Sequence, residues 1–206
     1  MQDFSTSATF PPQHVSHFKM TDDQALVARV AKGDMHAFRF LIKKHERLVS
    51  HMVGRLIDNS EDREELCQDI FMKVHEKVGE FNFQSKLSTW IASIAYHHSI
   101  NHLRKKKLPI SDIPDEERFT THFISEENPE EELNDEMMNS LIVKFIDQLP
   151  AQYKAVLTLY HLEQMTYPEI GEATGMPEGT VKNYLFRARV LVKEKVKKYL
   201  SKEELL

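Results

Sequence analysis

Residues 166–189 read TYPEIGEATGMPEGTVKNYLFRAR. Pro168 falls where the first turn of a helix tolerates a residue with no N–H and a fixed φ. Gly175-Met176-Pro177 then makes a tight turn, and a long helix is expected from about Glu178 to Leu200. A short helix, a glycine-containing turn and a longer basic helix form a helix-turn-helix signature. From Glu178 to Lys202 there are 8 Lys/Arg against 2 acids. Such a helix either enters a major groove or is an amphipathic solvated helix whose lysines keep it soluble. The helix and turn before it favour the groove.

Working upstream, Tyr153, Val156, Leu157 and Tyr160 mark one helix, and Met138, Leu141, Ile142, Phe145 and Ile146 mark another, closed by Leu149-Pro150. Before these lies SDIPDEERFTTHFISEENPEEELNDE, residues 111–136, with no sustained apolar period and two prolines, Pro114 and Pro129. It reads as a flexible linker. Earlier still, Phe38, Leu41, Ile42, His45, Leu48, Val49, Met52, Val53 and Leu56 recur at helical spacing after the break at Gly33-Asp34. Leu66, Ile70, Phe71, Val74 and Val78 mark a second helix. A polar-aromatic loop follows Gly79, and Ser88 is expected to cap a third helix with Trp90, Ile91, Ile94 and Ala95 inward. That helix ends in Arg104-Lys105-Lys106-Lys107, which suits the negative end of its dipole, and Pro109 stops it. The expected fold is all-α: a tail (1–20), a helical domain (21–110), a flexible acidic linker (111–136) and a small helix-turn-helix domain (137–206).

Charge divides along the same lines. Residues 1–110 carry 16 Lys/Arg against 13 acids, residues 111–136 carry 1 against 11, and residues 137–206 carry 10 against 8. Two mildly basic blocks thus flank a segment at −10, and the whole-chain −5 conceals a local field suited to nucleic acid. No apolar run approaches the roughly 18 residues of a membrane span, and no secretory signal is visible. The lone Cys67 fits a reducing cytoplasm. His98 and His102, with His97 adjacent, have the spacing of a two-histidine metal site. No carboxylate or cysteine completes the set, so a surface or DNA-proximal pair is the better reading. No nucleotide-binding loop or catalytic string is present, and neither metal nor cofactor is implied.

Taken together, GDMHAFRFLIKKHERLV, EDREELCQDIFMKVHEKVGEF and STWIASIAYHHSINHLRKKK, followed by LPAQYKAVLTLYHLEQMTYPEIGEATGMPEGTVKNYLFRARVLVKEKV, resemble bacterial RNA polymerase sigma factors of the extracytoplasmic-function type, in that family's order. The resemblance covers residues 22–107 and 139–200. It implies a non-catalytic initiation subunit that binds the clamp and flap of core RNA polymerase, directs it to promoter DNA and assists melting. An anti-sigma protein commonly holds members of the family.

Carried over residue by residue, the resemblance places Glu64, Glu65, Gln68, Asp69, Phe71 and Lys73 against the polymerase clamp. The spacings Glu64–Gln68 and Glu65–Asp69 put acceptors on one helix face. Phe81, Asn82, Gln84, Ser85, Lys86, Thr89, Trp90, Arg104 and Lys105 fall where the family meets the −10 element. Asn82, Gln84 and Ser85 offer donors and acceptors to base edges, and the cations meet phosphate. Phe81 and Trp90 each have a second reading as core aromatics. His97 and Asn101 depart from the family pattern, where Asn and an acid are usual.

For the −35 element the resemblance implies Glu178, Gly179, Thr180, Lys182, Asn183, Arg187 and Arg189. Glu178 suits a cytosine amine, Asn183 an adenine, and Arg187 a guanine or a phosphate. Val181, Leu185 and Ala188 are expected to pack inward. Arg189 has two readings, on DNA or along the helix surface. The runner-up function is a conventional helix-turn-helix regulator with a helical sensing module. The acidic linker is expected to tether the domains and, in the free chain at low salt, to cover basic surfaces as a weak DNA mimic. The tail Met1–Lys19 has no assigned role.

Overall fold

Asp34 starts the first long helix. Its side chain accepts hydrogen bonds from the backbone N–H groups of His36 (2.9 Å) and Ala37 (3.1 Å). Gly33, at φ +84°, supplies the left-handed turn that leads into it. The computed structural model describes residues 22–106 and 135–203. The first of these segments opens with α1 (Asp22–Ala31), which turns through Gly33 into α2 (Met35–Leu56). Next come α3 (Ser60–Lys77), a single 3₁₀ turn at Val78–Glu80, and α4 (Leu87–Lys105). The second segment holds α5 (Asp135–Asp147), α6 (Ala151–His161), α7 (Tyr167–Thr174) and α8 (Glu178–Glu203). No strand occurs among the described residues.

The apolar periods read from the sequence bury as expected. Leu41, Val49, Met52 and Val53 of α2, Leu66, Ile70 and Val74 of α3, and Ile91 and Ala95 of α4 share one core. Each buried Leu, Ile, Val or Met contributes roughly 1.5–3 kcal/mol relative to an exposed one. α1 escaped the sequence reading. Its apolar face is only Leu26, Val27 and Val30, too few to stand out as a period.

Two local expectations need correction. Lys86, not Ser88, is the N-cap of α4, and it makes no side-chain capping bond. Ser88 lies within the first turn, because the helix already starts at the buried Leu87. The linker expected over 111–136 is shorter at its far end, since Asp135 and Glu136 belong to α5. Its remaining residues, 111–134, lie outside the described residues, as do Lys107, Pro109 and the N-terminal tail.

α7 and α8 form the helix-turn-helix. Thr166 and Glu169 cap α7 reciprocally in a capping box, and Gly175, at φ +74°, ends it in the left-handed conformation. Gly171 leaves room for the turn, because a Cβ there would lie 2.8 Å from the Met176 carbonyl oxygen. The two helical groups are packed on one another, α6 against α2 and α7 against α4. Their buried residues form one continuous apolar cluster.

Candidate functional site

The outward face of α3 carries Glu64, Glu65, Gln68 and Asp69, all exposed. Neither Glu64 nor Glu65 forms an ion pair among the described residues. Met72, 63% exposed, continues the row of Glu65 and Asp69 at helical spacing. It is a candidate that the search for charged residues missed. Phe71 is half-buried against the core, and Lys73 is half-buried and reaches Glu76 at 2.8 Å. The open part of this face is therefore four polar side chains and one methionine.

Between the 3₁₀ turn and α4, the loop exposes Asn82, Phe83, Gln84 and Lys86, with Ser85 half-buried. Asn82 Oδ1 accepts from the Gln84 backbone N–H at 3.2 Å, and Phe83 is held at φ +59°, a sparsely populated region for a bulky residue. Behind the loop is an open cavity of about 420 Å³, floored by Val27, Ala28 and Ala31 of α1 and walled by Phe81 and Phe83. This cavity was invisible in the sequence because α1 was.

Two residues assigned to DNA in this region face inward instead. Phe81 is only 7% exposed and packs its ring 5.3 Å from Trp90 and 4.7 Å from Phe83, so it supports the loop from below. Thr89 is 1% exposed, on a side of α4 closed to solvent. α4 is covered over more than half its circumference, because the N-terminal helices pack on it and α7 does too.

What remains open on α4 is a stripe at helical spacing: Trp90 (half-buried), then His97, Asn101 and Arg104, with Lys105 beside it. His97 donates its Nδ1–H to the Ser93 carbonyl at 2.8 Å, which leaves Nε2 facing outward. The two positions that depart from the family pattern thus lie on the exposed stripe. Lys106 pairs with Asp62 and, as the leading cause, holds that carboxyl below its ordinary range.

On α8, Glu178, Gly179, Lys182, Asn183 and Arg189 are exposed, and Thr180 and Arg187 half-buried. Val181, Leu185 and Ala188 are buried as expected. Lys182 bonds Glu178 at 2.7 Å, which raises its pKa, and lies 5.5 Å from the centre of the Tyr167 ring. Arg189 lies along the helix surface, its guanidinium 5.2 Å from the Tyr160 ring centre. Phe186 was not singled out in the sequence, yet it is 64% exposed among these polar residues. The available signal was its position, off the inward row of Val181, Leu185 and Ala188. Its ring suits the methyl group of a thymine.

Residues 41–108 match the family model for sigma-70 region 2, and residues 140–192 match that for sigma-70 region 4. The ECF RNA polymerase sigma-E factor of Haemophilus influenzae is 31% identical over 180 residues, covering 84% of this chain and 95% of that protein. The RNA polymerase sigma-H factor of Pseudomonas aeruginosa is 32% identical over 173 residues, covering 81% of this chain and 90% of that protein. The chain belongs to the sigma-70 family, among its ECF members. The fold agrees. CnrH, solved in complex with the cytosolic domain of CnrY, superposes with a TM-score of 0.62 at 16% identity, covering 85% of this chain and 97% of that one. The sigma factor RpoE of Bartonella quintana, solved with the anti-sigma factor NepR, gives 0.58 at 20% identity, covering 78% of this chain and 96% of that one.

This sigma factor has one further surface. α5, α6 and α8 enclose an apolar groove of about 730 Å³ lined by residues such as Ile142, Leu157, Val192 and Val196. Arg55, Arg189, Lys193 and Lys197 also border it. No helix among the described residues is long and apolar enough to cross a membrane.

Proposed function

We propose that this chain is a transcription initiation factor that joins core RNA polymerase, carries it to promoters with a −10 and a −35 element, and assists strand separation. Its two functional units are residues 21–110 and 137–206. The observation that carries the reading is the separation of three chemically different surfaces on one helical scaffold. An open acidic row on α3 suits a basic protein partner. A loop with base-edge groups, a cavity behind it and a cationic stripe suits a single strand with an unstacked base. A helix-turn-helix whose second helix exposes Glu178, Lys182, Asn183 and Phe186 suits a major groove.

In this reading Glu64, Glu65, Gln68, Asp69 and Met72 meet the clamp. Asn82, Gln84, Ser85 and Lys86 receive the −10 strand, with Trp90, Arg104 and Lys105 along its path. The exposed face of α8 reads the −35 element. The apolar groove with basic residues at its border suits an apolar, acid-bearing helix, whether from the polymerase flap or from an anti-sigma factor. The factor works in the cytoplasm, where polymerase and promoter are.

Copurification with core polymerase, followed by transcription from a promoter library, tests the proposal. The expected result is a stable complex that starts RNA at a shared pair of elements. Tight binding of the free chain to duplex DNA, with no polymerase association, would instead establish a conventional regulator.

A further inference from the structure

We propose that the free sigma factor holds itself closed, with carboxylates of its C-terminal helices standing in for promoter phosphate on its N-terminal DNA surface. The inference rests on the assignment of the Phe81–Lys86 loop to the −10 strand.

Three polar contacts join the two helical groups, and all have the same polarity. His51 Nδ1 meets Glu163 at 2.6 Å, Arg55 meets Asp147 at 2.8 Å, and Lys86 meets Glu169 at 2.6 Å. In each, the N–H group or cation comes from α2 or the start of α4, and the carboxylate comes from α5, α7 or the α6–α7 turn. Glu169 is held ready for this role. Its Oε2 accepts from the Thr166 backbone N–H and hydroxyl, both at 2.8 Å, leaving Oε1 aimed at Lys86. Between the ion pairs α7 lies along α4, and Ile170 and Ala173 are fully buried, as are Ala92, Ala95 and Ser99.

The arrangement is incompatible with a promoter. Elements centred near −10 and −35 are 25 base pairs apart, about 85 Å along B-DNA. Here Lys86, assigned to the first element, and Lys182, assigned to the second, both contact α7 through Glu169 and Tyr167. That helix has 8 residues and is only about 12 Å long. The chain must therefore open to occupy both elements. The opening contest is between like groups, since phosphate takes from Lys86 the anion that Glu169 supplies. Lys86 remains largely exposed, so the pair is weakened by salt and readily exchanged. The sequence pointed to the linker as the acidic mimic; the structure puts Glu163 and Glu169 in that place.

The test uses the full-length chain carrying Cys67→Ser, labelled for energy transfer at Arg47→Cys and Lys198→Cys, without polymerase. A triple variant, Asp147→Asn, Glu163→Gln and Glu169→Gln, removes the three charges and keeps the capping geometry at Glu169. Circular dichroism checks that it is folded. Transfer efficiency is expected to fall in the variant, and affinity for a single-stranded −10 oligonucleotide to rise at least fivefold. Adding Lys86→Ala is expected to abolish that gain. Unchanged transfer across a salt series overturns the proposal. So does a fall in transfer with unchanged oligonucleotide affinity, since closure would then exclude nothing. The loop assignment fails separately, if holoenzyme carrying Asn82→Ala melts promoters like the wild type.

Discussion

Glu169 serves Lys86 and Thr166 at once: Oε1 lies 2.6 Å from Lys86 Nζ, while Oε2 completes the capping box of α7. One carboxylate thereby ties the start of the helix-turn-helix to the loop before α4. These bonds, Lys86 foremost, hold its pKa below the ordinary glutamate value. Glu169→Ala should remove both functions and cost about 0.5–2 kcal/mol through the lost cap. Glu169→Gln should cost less, because an amide still accepts from Thr166. Thermal unfolding of the two variants checks this order.

On α3, reversing the charges of Glu65 and Asp69 should abolish association with core polymerase and leave helicity unchanged. Both side chains point to solvent, so nothing in the fold depends on them. Coelution of the double variant with core enzyme at wild-type affinity would remove α3 from the polymerase interface.

The loop makes the opposite prediction. Asn82→Ala should leave polymerase binding intact and impair open-complex formation, read as permanganate reactivity of unpaired thymines. Because Asn82 also fixes the turn to Gln84, an Asn82→Asp variant separates base contact from loop geometry. It keeps the turn and should melt promoters as poorly as the alanine variant.

Arg187→Ala should weaken promoter use by about 1–3 kcal/mol if the guanidinium forks onto a guanine. Promoter substitutions at that base should then have no further effect in the variant. Identical base preferences in wild type and variant assign Arg187 away from base readout.

His45 sets a pH limit on the fold. Burial, with a smaller push from Lys44, lowers its pKa from 6.5 to about 4, and its Nε2 has no hydrogen-bond partner among the described residues. The unfolded chain takes up this proton near pH 6.5, and the folded chain only near pH 4. Stability is therefore full above about 6.5 and declines as the pH falls toward 4, by on the order of 3 kcal/mol. His45→Leu should flatten that slope in denaturant titrations across the same range.

Helix identity and order, the helix-turn-helix and the inward rows Leu66-Ile70-Val74 and Val181-Leu185-Ala188 were legible in the sequence. They depend on periodicity and turn chemistry, which are local. The three candidate surfaces were legible too, through motif order. Exposure was not. Thr89 and Phe81 read as DNA-facing but are buried, and Phe186 and Met72 stand open where only charged neighbours had been noticed. Burial of a side chain on α4 depends on what packs from both sides, and one of those sides is α7, far along the chain. The same long-range packing brings Lys86 to Glu169 and His51 to Glu163. A pairing between distant segments leaves no periodic mark in either one, so only the tertiary structure could decide it.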